Sequence, residues 1–384
     1  MKKDGFPKRI AVLGSTGSIG KNTLKVVRHL FPKVQIRALA AKSQIDLLQE
    51  QAQEFYPELI AVYDKDKALE LQRRLPYIRV VGGMEGLLEA ASLNSVDLVV
   101  SAITGTLGIQ PTVQAINCGK DVALANKEAL VSAGEYIMEL VRKKGVQLIP
   151  IDSEHSALFQ CLRKEKREHV RRVIVTASGG PFLHTKPEEL AKMGAEQALA
   201  HPTWRMGPKN SIDSSTLMNK GFEVIEAHFL FGIPVDKIDV VIHPQSTIHS
   251  MIEMIDGSML AQLSETDMAL PIQYALTYPE RLEGFLRPFD FSKAFSLQFF
   301  PPDHTKFPCL QLGYEAIRQG GSMPCYLNAA NEILVSRFLQ GAFGWQEIGH
   351  KLEQLLSSHQ VESSPSLETI LEIDELAKEQ ALKI

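Results

Sequence analysis

The chain has 384 residues, 45% of them hydrophobic and 22% charged, with a net charge of −4. That is the composition of an ordinary soluble protein of two or three domains, and it provides no cationic footprint for nucleic acid or an anionic membrane. The four cysteines stand far apart with no Cys-x-x-Cys pair, which argues against a structural zinc site and fits a reducing compartment.

The basic start, residues 1–9, is followed by an apolar run of only residues 10–13, too short for a signal-peptide core. No stretch approaches the roughly 18 apolar residues of a membrane span, so a cytoplasmic protein without a transit peptide is expected. Residues 9–13 predict a buried strand, and Gly14-Ser15-Thr16-Gly17-Ser18-Ile19-Gly20 leads from it into a helix over residues 21–30. Glycines there let the backbone turn tightly and approach a pyrophosphate, whose charge settles on the free amides of the helix start. Strand-like runs follow at 35–40, 59–62, 96–102, 121–124 and 146–151, separated by helical stretches such as 45–55 and 67–74. This alternation predicts an α/β fold, an N-terminal doubly wound (Rossmann-like) parallel sheet. The second strand ends in Lys42-Ser43-Gln44 rather than in the acid that holds the ribose of NAD, so the residues favour NADPH; otherwise Lys42 is a solvated loop lysine. A later strand end, Ala125-Asn126-Lys127-Glu128, opens another helix, where Lys127 either touches cofactor or substrate or pairs with a neighbouring acid.

The run Ile151-Asp152-Ser153-Glu154-His155 turns an apolar segment into two acids one residue apart. If the strand continues, both carboxylates leave the same face, roughly 7 Å apart at Cβ, and can share a hard divalent cation. If a helix starts there, Asp152 or Ser153 caps it and Glu154 is favoured by its dipole. Further on, a strand over 172–176 runs into Ser178-Gly179-Gly180, either a phosphate-holding hydroxyl with exposed amides or a plain turn. His201-Pro-Thr-Trp204, with Met206 and Gly207 after it, puts one of only two tryptophans into a loop, as a lid or as a core anchor. Asp213 or Ser214 is expected to cap a helix running to Leu230, on which Asn219, Lys220 and Glu223 share one face. That helix is rich in Leu, Met, Phe and Ile, so its charges need partners or ligands. Strands at 240–243 and 246–253 precede a hairpin at Asp256-Gly257; His249, on the second of them, is more readily structural than functional. Residues 285–308 have little periodicity and read as a linker, and four amphipathic segments after them predict a helical bundle.

Taken together, Gly14–Gly20, Ala125-Asn-Lys-Glu128, Ile151-Asp-Ser-Glu-His-Ser-Ala157, Ser178-Gly-Gly180, His201-Pro-x-Trp204, Met218-Asn-Lys-Gly-x-Glu223 and Leu327-Asn-Ala-Ala-Asn-Glu332 resemble the 1-deoxy-D-xylulose 5-phosphate reductoisomerase family, in the family's order from about residue 9 to the end. After the second strand the family usually has Gly-x-Asn, where this chain has Lys42-Ser43-Gln44. The resemblance implies a cytoplasmic homodimeric enzyme that uses NADPH and one divalent cation (Mg²⁺, Mn²⁺ or Co²⁺) on a sugar phosphate, with neither nucleic acid nor membrane as partner. It implies Asp152, Glu154 and Glu223 as metal ligands. Ser178, Ser214, Asn219 and Lys220 would hold the substrate phosphate, while Lys127, Ser153 and His201 would lie along its carbon chain; Glu154 and Glu223 would also bind the substrate, with Glu154, Lys127 and His201 catalytic. Trp204 and Met206 would form the lid, and Thr16, Gly17, Ser18, Ile19, Lys42, Ser43, Gln44, Asn126, Glu128 and Gly207 would line the cofactor. Three close carboxylates without a cation would repel at about 4 kcal/mol per pair at an effective dielectric near 20.

The expected division is a cofactor domain over 1–150, a central α+β catalytic domain with a dimerisation sheet over 151–284, a linker over 285–309 and a C-terminal α-helical bundle over 310–384. An ordinary NADP-dependent dehydrogenase would share the first domain but have no use for the acids, and a cofactor-sensing regulator would leave the polar residues of the second without a role.

Overall fold

A computed structural model describes residues 6–204, 206–292 and 294–384. The basic residues before Phe6 lie outside the described residues. The chain forms two compact units, one from residues up to Ala129, Ile137–Ser156 and Asp267–Pro288, the other from Leu130–Tyr136, Ala157–Thr266 and Phe289–Ile384.

The first unit alternates strand and helix as the sequence pattern predicts: β1 (Lys8–Leu13), α1 (Ser18–Leu30), β2 (Val34–Ala41), α2 (Ile45–Phe55), β3 (Leu59–Val62), α3 (Lys65–Arg74), β4 (Arg79–Gly82), α4 (Gly83–Ser92), β5 (Leu98–Ser101), α5 (Ile109–Asn117), β6 (Asp121–Leu124), α6 (Lys127–Lys144) and β7 (Leu148–Pro150). All seven strands are parallel, in the order β4-β3-β2-β1-β5-β6-β7. Strand β1 is fully apolar and buried from Ile10 to Leu13, because helices on both faces leave it no contact with water. Its neighbours β2 and β5 lie on opposite sides, so the strand order reverses at its carboxyl end, where ligands bind in such sheets. Strand β4 and helix α4 escape the sequence pattern, since Arg79-Val-Val-Gly82 is too short to show a period.

The chain continues through α7 (Ser153–Leu162), β8 (Val170–Ala177), the short α8 (Pro187–Leu190) and α9 (Ala195–Leu199), α10 (Pro208–Thr216), α11 (Met218–Phe231), β9 (Ile238–Ile242), β10 (Ile248–Met254) and β11 (Met259–Leu263). These strands form a mixed sheet, β11-β10-β8-β9, in which β8 and β9 are parallel and the β10–β11 hairpin turns at Asp256-Gly257 as expected. Val173, Val175, Val224, Phe231 and Ile252 belong to its core. The remaining helices are α12 (Ala269–Thr277), α13 (Pro308–Gln319), α14 (Met323–Leu339), α15 (Glu347–Ser358) and α16 (Leu367–Lys383). Helix α11 packs on β8 and β9 and on α13, and α13 meets α14, which carries α15 and α16.

Two features depart from the expected division. Helix α12 belongs to the first unit, where its buried Ile272, Tyr274 and Leu276 accompany packing on α1, β6 and β7. The C-terminal helices share one unit with the mixed sheet, because α13 gives that sheet's helix α11 a second packing partner. The described residues between 289 and 307 are irregular apart from a bridge between Ile242 and Phe300. Burial pushes the Cys161 thiol up to about 11 and those of Cys309 and Cys325 to about 12, as packing residues rather than reactive ones.

Candidate active site

In the first unit, the glycine-rich turn owes its shape to glycine at two positions. A Cβ on Gly14 (φ +91°) would lie 2.4 Å from the Ala102 carbonyl oxygen, and one on Gly20 would lie 2.2 Å from that of Gly14. The turn is pinned from α2: Ser15 Oγ donates to Gln51 Oε1 at 2.7 Å and Gln51 Nε2 donates to the Ser15 carbonyl at 3.0 Å. Thr16 is buried, whereas Gly17 and Ser18 are exposed at the start of α1, and among the described residues no side chain caps that helix. Its first amides are therefore available to an anion. Lys42, Ser43 and Gln44 are exposed at the carboxyl end of β2, and Ile19 is half-buried. Asn126 caps α6 by accepting from the Ala129 N–H at 2.8 Å, while its amide donates to the carbonyls of Ile103 and of Gly105, the latter at 3.0 Å. It straps two loops of the sheet edge together. Glu128 is buried in the same turn.

The acid pair does not lie on a strand. Strand β7 ends at Pro150 and α7 begins at Ser153, so the alternation of a continuing strand is lost and the capping geometry prevails. Asp152 Oδ1 accepts from the backbone N–H groups of Glu154 (3.1 Å) and His155 (3.3 Å), and lies 2.9 Å from Nδ1 of the fully buried His155. Asp152 Oδ2 is 3.4 Å from Nζ of the buried Lys127, the first residue of α6. Ser153 Oγ donates to Glu154 Oε2 at 2.5 Å. Three residues with oxygen ligand atoms, Asp152, Ser153 and Glu154, and the cation of Lys127 thus gather with His155 at the carboxyl end of the sheet. His155 is the member that spacing gave no reason to single out.

In the second unit, β8 runs into Ser178-Gly179-Gly180, whose glycines take positive φ. A Cβ on Gly180 would stand 2.6 Å from the Ser214 carbonyl oxygen, so only glycine lets this turn abut α10. His201 Nδ1 accepts from the backbone N–H groups of Thr203 (3.1 Å) and Trp204 (2.8 Å). With Nδ1 an acceptor, the ring proton sits on Nε2, 2.9 Å from Ser178 Oγ. Burial holds this imidazole below its ordinary pKa, in keeping with a neutral ring. Trp204 is half-buried, its ring 6.3 Å from that of the buried His249. The tryptophan anchored in the core is the other one, Trp345.

A single helix from Asp213 to Leu230 was expected, and two are found. Leu217 adopts the left-handed conformation (φ 59°, ψ 13°) and separates α10 from α11. Nothing in the local residue types breaks the helical pattern there; a non-glycine residue in this region is strained, and such strain gathers at functional sites. Asp213 is consequently not a cap but an interior residue of α10, while Ser214 is buried beside it. On the first turns of α11, Lys220 (3% exposed) pairs with Glu223 (1% exposed), and Asn219 Nδ2 donates to Glu223 Oε1 at 2.5 Å. Met206 is half-buried and Gly207 exposed at the approach to α10.

Comparison with known proteins settles the family. Three family profiles match in sequence: 1-deoxy-D-xylulose 5-phosphate reductoisomerase over residues 10–134, the C-terminal domain of the same enzyme over 148–231, and the DXP reductoisomerase C-terminal domain over 263–380. The chain belongs to the 1-deoxy-D-xylulose 5-phosphate reductoisomerase family. The reductoisomerase of Protochlamydia amoebophila is 58% identical over 98% of both chains. The reductoisomerase of Zymomonas mobilis, solved in complex with NADPH, superposes with a TM-score of 0.93 at 41% identity over 98% of both chains. A DOX-P reductoisomerase solved with NADPH, fosmidomycin and magnesium gives 0.91 at 38% identity over the same shares. Membership of this reductoisomerase family removes the ordinary dehydrogenase and the regulator from consideration, since the likeness covers the acid turn and α11 as fully as the glycine-rich turn.

Proposed function

We propose that this chain converts 1-deoxy-D-xylulose 5-phosphate to 2-C-methyl-D-erythritol 4-phosphate by skeletal isomerisation followed by reduction, as an NADP-dependent oxidoreductase of isoprenoid precursor synthesis. The observation that carries the reading is the turn Asp152-Ser153-Glu154 beside Lys127. Its ligand atoms are all oxygen, and Asp152 lies against two backbone N–H groups, an imidazole and a lysine. Such a set fits a hard divalent cation, Mg²⁺ or Mn²⁺, better than a soft one. Asp152, Glu154 and Glu223 are the ligands assigned to that ion, as the family resemblance implies. When bound, the cation supplies Lewis-acid polarisation of the substrate's ketone and adjacent hydroxyl, and NADPH supplies the hydride.

The chain's own residues do the placing. The glycine-rich turn takes the pyrophosphate on the amides of Gly17, Ser18 and Ile19 with Thr16 beneath. Lys42, Ser43 and Gln44 meet the 2′-phosphate side. Asn126 acts by fixing the loops under the cofactor, and Glu128 and Gly207 are the further cofactor residues that the family resemblance implies. Ser178, Ser214, Asn219 and Lys220 hold the substrate phosphate, whose remote binding energy fixes the reacting end. Because Ser178 accepts from His201 Nε2–H, its own hydroxyl proton is left to donate to a phosphate oxygen. Lys127, Ser153 and His201 lie along the carbon chain, and Trp204 with Met206 covers it and excludes water.

The protein acts as a cytoplasmic homodimer. Strand β11 is an edge of the mixed sheet and leaves Met259, Leu260 and Leu263 exposed, the kind of apolar edge that pairing with a second copy would cover. Among the described residues no helix is long and apolar enough to cross a membrane.

The test is oxidation of NADPH with 1-deoxy-D-xylulose 5-phosphate in the presence of Mg²⁺, Mn²⁺ or excess EDTA. Turnover should require the ion. Asp152→Asn, Glu154→Gln and Glu223→Gln should each stay folded and bind NADPH while losing most of it, non-additively and with partial rescue by excess Mn²⁺. Full activity in EDTA, or an unimpaired Asp152→Asn, returns Asp152 to a helix cap alone.

A further inference from the structure

We propose that Asp213 is a positioning residue for the phosphate site, and that α14 sets its orientation through Asn331. The proposal rests on the assignment of Ser214, Asn219 and Lys220 to the substrate phosphate. Asp213 is 1% exposed in the interior of α10. Its Oδ1 accepts from Asn331 Nδ2 at 2.7 Å, and its Oδ2 lies 3.0 Å from Lys209 Nζ. A buried carboxylate costs more than an apolar residue of the same size unless it is fully paired, so its value here is in geometry rather than in stability. The arrangement of Asn331 says the same. Asn331 is fully buried with its amide nitrogen committed to the carboxylate, and its own Oδ1 has no hydrogen-bond partner among the described residues. A buried, unsatisfied carbonyl is tolerated where another bond fixes something that matters.

What that bond fixes is the next residue. Ser214 follows Asp213 directly, and Leu217 alone separates the end of α10 from the start of α11, which carries Asn219 and Lys220. A second bond from the C-terminal helical region acts on the same helix: Trp345 Nε1 donates to Ser215 Oγ at 2.9 Å, and Ser215 donates to the Ile212 carbonyl at 2.7 Å. Lys209 ties the carboxylate to the first turn of α10, just past Met206 and Gly207 of the proposed lid. One buried acid therefore joins α14, the lid's end and the phosphate-holding serine, which gives the Asn331 of Leu327-Asn-Ala-Ala-Asn-Glu332 a role.

The experiment compares Asp213→Leu, Asn331→Asp and the exchange variant carrying Asp213→Asn together with Asn331→Asp, which restores the bond with donor and acceptor reversed. The measurements are kcat, KM for the sugar phosphate, KM for NADPH, and Ki for inorganic phosphate as competitor. The single variants should raise KM for the substrate and Ki for phosphate by about tenfold or more with KM for NADPH unchanged, and the exchange should recover most of the loss. Unchanged phosphate Ki in folded single variants, or an exchange no better than the singles, overturns the proposal. If the buried variants do not fold, Lys209→Met at the partly exposed end of the network must raise the phosphate Ki, and a normal Ki there is equally fatal. Ser214→Ala separates the two levels: if it leaves Ki unchanged, the phosphate assignment itself fails; if it raises Ki and the Asn331 variants do not, only the positioning role does.

Discussion

Nδ1 of His201 accepts two backbone N–H groups, so protonating the ring turns both hydrogen bonds into repulsions. Burial already holds the group below the ordinary histidine value of 6.5. The unfolded chain takes up that proton first, so the stability drawn from this contact is complete above pH 6.5 and drains away as pH falls through the lower folded-state value. In a Trp345→Phe background, Trp204 fluorescence should titrate with a midpoint below 6.5, and a midpoint at or above it would show that the loop does not depend on the neutral ring. Trp204→Ala should lower kcat/KM with little change in thermal midpoint, since the ring is only half-buried; the roughly 3–5 kcal/mol loss of a core tryptophan belongs to Trp345. At this scale the sequence is generous with residue types and poor in partners. Asp152 with Glu154, and Asn219 with Lys220 and Glu223, stand out because the members of each group lie within a few residues of one another. Asp213 and Ser215 do not, because their partners Asn331 and Trp345 come 118 and 130 residues later.

Two glycines that no local pattern marks decide how close α13 comes to α11. A Cβ on Gly313 would lie 2.5 Å from Gly221 Cα, so the helices cross backbone to backbone, one residue from Lys220. Gly313→Ala should push them apart and destabilise the fold by about 1–3 kcal/mol, read as an early thermal midpoint together with a raised KM for the sugar phosphate. Gly20→Ala collides with the Gly14 carbonyl and should abolish NADPH binding, measured by fluorescence titration, while the acid turn keeps its shape. Element boundaries in the parallel sheet are legible because buried strands are continuous apolar runs set off by glycines. The break at Leu217 is not, since its left-handed backbone is imposed by tertiary context on residues that would continue a helix.

For the whole molecule, the alternation of strand and helix foretells a doubly wound sheet, but not that its unit is completed by residues 267–288, because nothing in an amphipathic segment says which distant surface it will cover. That late helix has a consequence for biosynthesis. A ribosome that has made β7 has made every strand of the parallel sheet, yet α12, which packs on α1, β6 and β7, is still unmade until the entire mixed sheet has followed. The nascent chain must carry an uncovered apolar face through that interval, the kind of exposure that makes a partly made chain prone to aggregate. Residues 6–156 expressed alone should scatter light and digest rapidly with protease, and a synthetic peptide of residues 267–288 added in trans should suppress both.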